Sequence, residues 1–256
     1  MEIATDFPLF VFVLSFFVLS LSALAGASFL RKQRQLDEEK RQDLGVIMAA
    51  TLTLLGLIIG FSFSMAMSRY DLRKNYEAAE TNQIGTEYVR ADLLPASDAA
   101  KVRALLRDYL DQRVLFYLSR DEQQIRQINA RTAQLQTELW SAVSAPAAAQ
   151  PTFLTVALAV SGMNDVLNSQ AYTQAAWLNR IPIAAWVMMA AIAIFCNVLV
   201  GYGARKVKVE GILLLILPLV VAIAFFLIAD IDSPRGGVIR VNPQNLVSLA
   251  ESLRAH

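Results

Sequence analysis

Hydroxyls and glycines repeat along one apolar stretch, residues 44–67, at a spacing that suits ion passage. Gly56, Gly60, Ser64 and Ser68 recur every four residues with Thr53 beside them, which puts them on one narrow stripe of a helix. Two chemistries fit. Small residues let helix backbones approach closely, and Gly56-x-x-x-Gly60 has the small-xxx-small form of a packing seam. The stripe can instead line a watery path, where hydroxyls replace part of an ion's hydration shell. Bulky neighbours such as Ile59, Phe61 or Phe63 would then form a constriction that gates by dewetting. Both hold together in a symmetric oligomer, where one edge of the stripe packs and the other opens. The pore-lining candidates are Thr53, Gly56, Gly60, Phe61 and Ser64.

Charges gather where that stretch ends. Arg69 and Tyr70 fit an interfacial anchor, and Arg69 and Arg73, repeated around an oligomer, fit a basic ring at a pore mouth. Near the other end of the chain Asp230 and Asp232 precede Pro234, Gly236 and Gly237. They are expected to pair with Arg69, Arg73 or Arg235 and so dock an ordered tail. Two acids alone do not specify a calcium site, which takes six to eight oxygen ligands. Glu77, Glu80, Asn82, Gln83, Thr86 and Glu87 read as a solvated helix face, and Gly85 among them as a close helix contact. Asn164 and Asp165 read as buried polar partners in an apolar stretch. There is no P-loop, dinucleotide fingerprint, zinc-protease helix or nucleophile elbow. The lone cysteine, Cys196, lies in an apolar run and the lone histidine, His256, is terminal. No enzyme chemistry, metal or cofactor is expected.

The elements that must position these residues are helices. Runs at 7–30, 44–67, 181–203 and 211–231 each reach the roughly 20 apolar residues needed to cross a bilayer. Acids, not bases, precede the first run, so it is expected to stay as a span and not be cleaved as a signal. Hydrophobic residues make up 55% and charged residues 18%, with a mean hydropathy of +0.43, values of a membrane protein. A net charge of +1 lacks the basic surplus of a nucleic-acid binder. The expected class is all-α and polytopic. Two transmembrane hairpins, 1–67 and 181–231, flank a soluble helical bundle at 68–180, and a tail follows at 232–256. In the bundle, the second span continues to Pro95, Ser97 is the expected N-cap of the next helix, residues 119–121 a turn and 144–151 a linker. The last helix starts near Thr152 and feeds the third span through Pro182. Val102, Leu105, Leu106, Tyr109 and Leu110 form one expected core stripe and Ile125, Ile128, Leu135, Leu139 and Trp140 the next, and Phe153–Met163 is taken as bundle core as well. Basic residues in the short loops 31–43 and 204–210 place those loops in the cytoplasm and the bundle outside.

Three stretches resemble the bacterial bestrophin-like family. They are Gly56-Leu-Ile-Ile-Gly60-Phe-Ser-Phe-Ser-Met-Ala-Met-Ser-Arg69-Tyr70, Asn82-Gln-Ile-Gly85-Thr-Glu-Tyr88-Val-Arg90-Ala-Asp92-Leu-Leu-Pro95, and Asp230-Ile-Asp232-Ser-Pro234-Arg-Gly-Gly237-Val-Ile239-Arg-Val241. The resemblance runs in order through nearly the whole chain. It implies an oligomeric anion channel whose second membrane helix lines the pore, with Thr53, Gly60, Phe61 and Ser64 as pore residues. The chain is shorter than typical bestrophins, and their acidic calcium cluster has no match beyond Asp230 and Asp232. The resemblance also implies a cytoplasmic bundle, opposite to the charge rule. The expectation is a homo-oligomeric channel in a bacterial inner membrane, passing small inorganic ions, anions foremost, with no nucleic-acid partner. The alternative is a non-conducting scaffold or sensor whose bundle binds a ligand or partner.

Overall fold

A long apolar run in lipid satisfies its backbone by forming a helix with every hydrogen bond internal. The computed structural model describes residues 7–30, 38–149, 154–204 and 212–255. Among these, eight α-helices and no strand occur. They are α1 (Pro8–Ala25, closing in a π turn, Gly26–Leu30), α2 (Glu38–Arg90), α3 (Ala96–Leu118), α4 (Glu122–Ala149), α5 (Leu154–Leu178), α6 (Ile183–Gly203), α7 (Leu213–Asp232) and α8 (Gln244–Ala255). Four helical segments are long and apolar enough to cross a membrane: Pro8–Ser28, Gln42–Leu93, Leu154–Gly203 and Leu213–Asp232. In α2 only residues 44–67 are apolar throughout. From Arg69 onward it carries an acid or base every few residues, and that part lies outside the spanning stretch. Most of the two short loops of the charge argument, at 31–37 and 205–211, lies outside the described residues, as do 150–153 and His256.

The chain divides into two units, Met1–Tyr70 with Arg180–Arg240, and Asp71–Asn179 with Val241–His256. The first holds α1, the apolar part of α2, α6 and α7. The spans follow one another as two hairpins in sequence, yet α1 packs chiefly against α7 and α6. Two glycines make this possible. A Cβ on Gly26 would strike the carbonyl of Val198, and one on Gly201 would strike the carbonyl of Ala23. Backbones of α1 and α6 therefore touch directly, the use to which membrane helices put small residues. Leu55 and Ala66 of α2 join Leu19, Met189, Ala193, Cys196, Val221, Phe225 and Ile228 in one core. Phe12 meets Phe226 edge to face, with 6.2 Å between centroids.

The second unit is the helical bundle. α3 packs on α4, α4 on α5 and α8 on α3. Its core contains Val102, Leu106, Tyr109, Leu110, Ile128, Leu135 and Leu139 as expected, joined by Ile84, Val143, Met163 and Val166; of the other expected members, Leu105 and Ile125 are half-buried and Trp140 is exposed. Of the apolar start of α5, Val156, Ala159 and Met163 are buried while Leu154 and Leu158 face outward. Three local expectations need correction. Pro95, not Ser97, occupies the N-cap of α3; its carbonyl accepts from Asp98 and Ala99 N–H at 2.9 Å. The linker expected over 144–151 is helix up to Ala149, and Pro146 sits buried inside α4. One missing donor is tolerated there because the alanines around it favour helix strongly. Asn164 and Asp165 are exposed, not buried. The turn at 119–121 is present, and Asp121 Oδ2 accepts the Gln124 N–H at 2.8 Å.

Candidate functional site

In the first unit α2 has two faces. Leu55, Ser62 and Ala66 are buried, so that side points into the core. Thr53, Gly56, Gly60, Phe61 and Ser64 are all exposed on the other, and Phe61 is 62% exposed. A Cβ added at Gly56 or Gly60 would meet nothing within 4 Å. The whole proposed stripe is thus brought together on one open face of the single chain. Thr53 Oγ1 donates to the Ala49 carbonyl at 2.9 Å, which leaves its lone pairs facing outward. Arg69 lies half-buried along the helix, with Nη1 3.4 Å from the Met65 carbonyl. Arg73 is only 1% exposed, a position unsuited to a pore mouth, so the two arginines do not form one solvent-facing pair.

The two tail acids serve the backbone. Asp230 accepts the Val238 N–H at 2.7 Å through Oδ1 and the Ile239 N–H at 2.8 Å through Oδ2. Asp232 accepts from Arg180 Nε at 3.1 Å and from Ile181 N–H at 3.2 Å. Ser233 Oγ accepts the Gly236 N–H at 3.1 Å. Carboxylates at the C-terminus of α7 oppose its dipole, and these charge-assisted bonds offset that cost. Asp230 thus holds the tail through backbone N–H groups, while Asp232 bonds to Arg180 and Ile181, partners other than the expected Arg69, Arg73 or Arg235. Arg235 is half-buried in the same turn. Among the described residues no three metal-ligating side chains converge.

A sequence profile of the Bestrophin-like domain matches residues 13–246. The chain belongs to the bestrophin-like family. Its fold is that of a bacterial bestrophin homolog from Klebsiella pneumoniae. One crystal structure of that protein, phased by zinc anomalous scattering, matches with a TM-score of 0.59 at 14% identity, covering 96% of this chain and 95% of that one. A variant with a leucine-to-threonine change matches with a TM-score of 0.60 at 13% identity, over 97% and 96%. A variant with a tryptophan-to-alanine change gives 0.61 at 12% identity, over 97% and 94%. No curated protein matches in sequence.

In this bestrophin-like chain the acids expected on a solvated face of α2 are instead buried. Glu77, Glu80 and Glu87 are each at most 1% exposed, while Asn82 and Thr86 do face outward. Glu77 takes the N–H groups of Asn245 and Leu246 at 3.1 Å and Asn245 Nδ2 at 2.6 Å. It thereby caps α8 from another helix, the role N-cap side chains usually perform locally. Leu249 of α8 lies 3.4 Å from where a Gly85 Cβ would be, so the close contact expected there is present. Glu80 pairs with Arg113, both fully buried, and accepts from Thr173 Oγ1 at 3.1 Å. The Arg113 guanidinium also lies 4.5 Å above the Phe116 ring. Burial, then the charge of Glu80, pushes the hydroxyls of Tyr109 and Tyr117 above their usual range. The sequence held one signal for this: Glu77, Glu80 and Glu87 fall on the same helix side as the apolar Ile84.

Proposed function

We propose that this protein is a homo-oligomeric ion channel of a bacterial plasma membrane, with residues 53–64 of α2 facing a shared axis. The observation that carries this reading is the open space beside Gly56 and Gly60. A membrane helix that exposes glycines and hydroxyls to lipid gains nothing from them, whereas a ring of copies gives each side chain a use. Membership of the bestrophin-like family supports the same reading. Phe61 supplies the bulk for a dewetting gate. The charge-assisted part of selection falls to Arg69, which favours anions. Thr53 presents oxygen lone pairs, which suit a cation better than an anion, so the anion preference rests on Arg69 alone.

The exposed positions of α2 in the second unit also suit self-association. Leu72, Asn75, Ala79, Asn82, Thr86 and Val89 are exposed at alternating steps of three and four, the spacing of a coiled-coil seam. The test is ion flux into liposomes carrying purified protein, with chloride exchanged for bulky anions and potassium for bulky cations. Anion-dependent flux that Gly60→Leu abolishes, in protein that keeps its oligomeric state, is the expected result. A well-folded oligomer that passes no ion would instead indicate a scaffold or sensor.

A further inference from the structure

Glu87 differs from the other buried acids of α2. Neither of its carboxyl oxygens has a hydrogen-bond partner among the described residues, and the side chain is 0% exposed. It lies against Gly162 of α5: a Cβ at residue 162 would collide with Glu87 Oε2 and with Arg90 Nη1. Glycine at 162 is therefore the condition for the carboxyl to fit between the two helices. A carboxylate without a hydrogen-bond partner in such a place is far costlier than a neutral acid, and the nearby Arg90 guanidinium offsets only part of that cost.

The charged groups around it are few. Arg90 is one turn further along α2. Asp165 is the sole charged residue of α5 and is exposed. Asp92, on the turn after α2, is held by Arg103 of α3. We propose that Glu87 and Gly162 form a proton-operated latch between α2 and α5, shut while the Glu87 carboxyl is neutral and loosened when it releases its proton to water. The latch is independent of whether the protein conducts. Burial raises the Glu87 pKa from 4.5 to about 8, with Arg90 opposing and Asp165 adding to the rise. The folded state therefore holds the proton more tightly than the unfolded chain. The stability of the contact is full below about pH 4.5, declines as pH rises, and is gone above about pH 8.

Thermal unfolding of the purified full chain, followed by tryptophan fluorescence from about pH 5 to about pH 10, tests this. The wild type is expected to lose roughly 5 °C or more as pH rises through the carboxyl's range. Glu87→Gln, which stays neutral, should lack that step. Asp165→Asn, a surface change, should move the step to lower pH by a few tenths of a unit, because it removes a neighbouring negative charge. Parallel curves for wild type and Glu87→Gln, or a step that Asp165→Asn leaves in place, would overturn the latch. If Glu87→Gln does not fold, the Asp165→Asn shift decides alone.

Discussion

Asp230 satisfies two backbone N–H groups with two carboxylate oxygens, and no smaller side chain does so. Asp230→Ala is expected to cost about 3 kcal/mol, since each charge-assisted bond contributes about 1.5–3 kcal/mol and the amides are left without acceptors. A melting curve of the purified protein measures it. The glycines separate in the same way. Gly201→Ala puts a methyl into the Ala23 carbonyl and should destabilise by about 3 kcal/mol or more. Gly56→Ala meets open space and, alanine being the better helix former by roughly 0.5–1 kcal/mol, should leave the melting temperature of the subunit unchanged or slightly raised. Sequence spacing put Gly56 and Gly60 on one helix stripe because that pattern is local, and it marked the tail acids but not Arg180 or the backbone groups they bond. It misplaced Glu80 and Glu87 because their burial depends on Arg113 and Gly162, which lie on other helices. Polar residues on a helix read as solvated until a distant partner is known.

The long second helix is the element that sequence describes best. Nothing breaks it before Pro95, and the structure carries it from Glu38 to Arg90 without interruption. The C-terminal helix α8 is the element that sequence described least. Leu246, Leu249, Ala250 and Leu253 do sit at helical spacing, but its cap comes from Glu77, far away in the chain. Glu77→Ala should therefore free α8 while the other helices hold. Loss of the cap costs about 1–2 kcal/mol, and amide hydrogen exchange confined to residues 244–255 should quicken accordingly. Pro146 illustrates the opposite error. Proline and serine near 144–151 have the composition of a linker, but surrounding alanines and a buried ring keep α4 whole.

For the assembled molecule, the open face of α2 makes a direct prediction. Cys196 is buried and slow to react, so Thr53→Cys adds one accessible thiol per subunit. A short bifunctional maleimide should then link copies into a ladder on a denaturing gel, and a lone monomer band would count against a shared axis. Which side holds the bundle is open to the same chemistry. An impermeant thiol reagent on intact spheroplasts should reach a cysteine at exposed Asp165 if the charge rule holds, and should miss it if the family's orientation does. Four spans were legible from run length alone. Their partners were not, because loop length reports who is next in the chain, whereas Gly26 and Gly201 decide who touches whom. That crossing also bears on biogenesis. α1 ends its regular turns at Ala25, and the helix it needs begins at Ile183. At roughly 5–20 residues per second of translation, a nascent chain holds the first segment without its mate for on the order of ten seconds. During that wait the insertase or lipid must shelter the bare glycine surface, and a chain truncated before Ile183 would have nothing to close it.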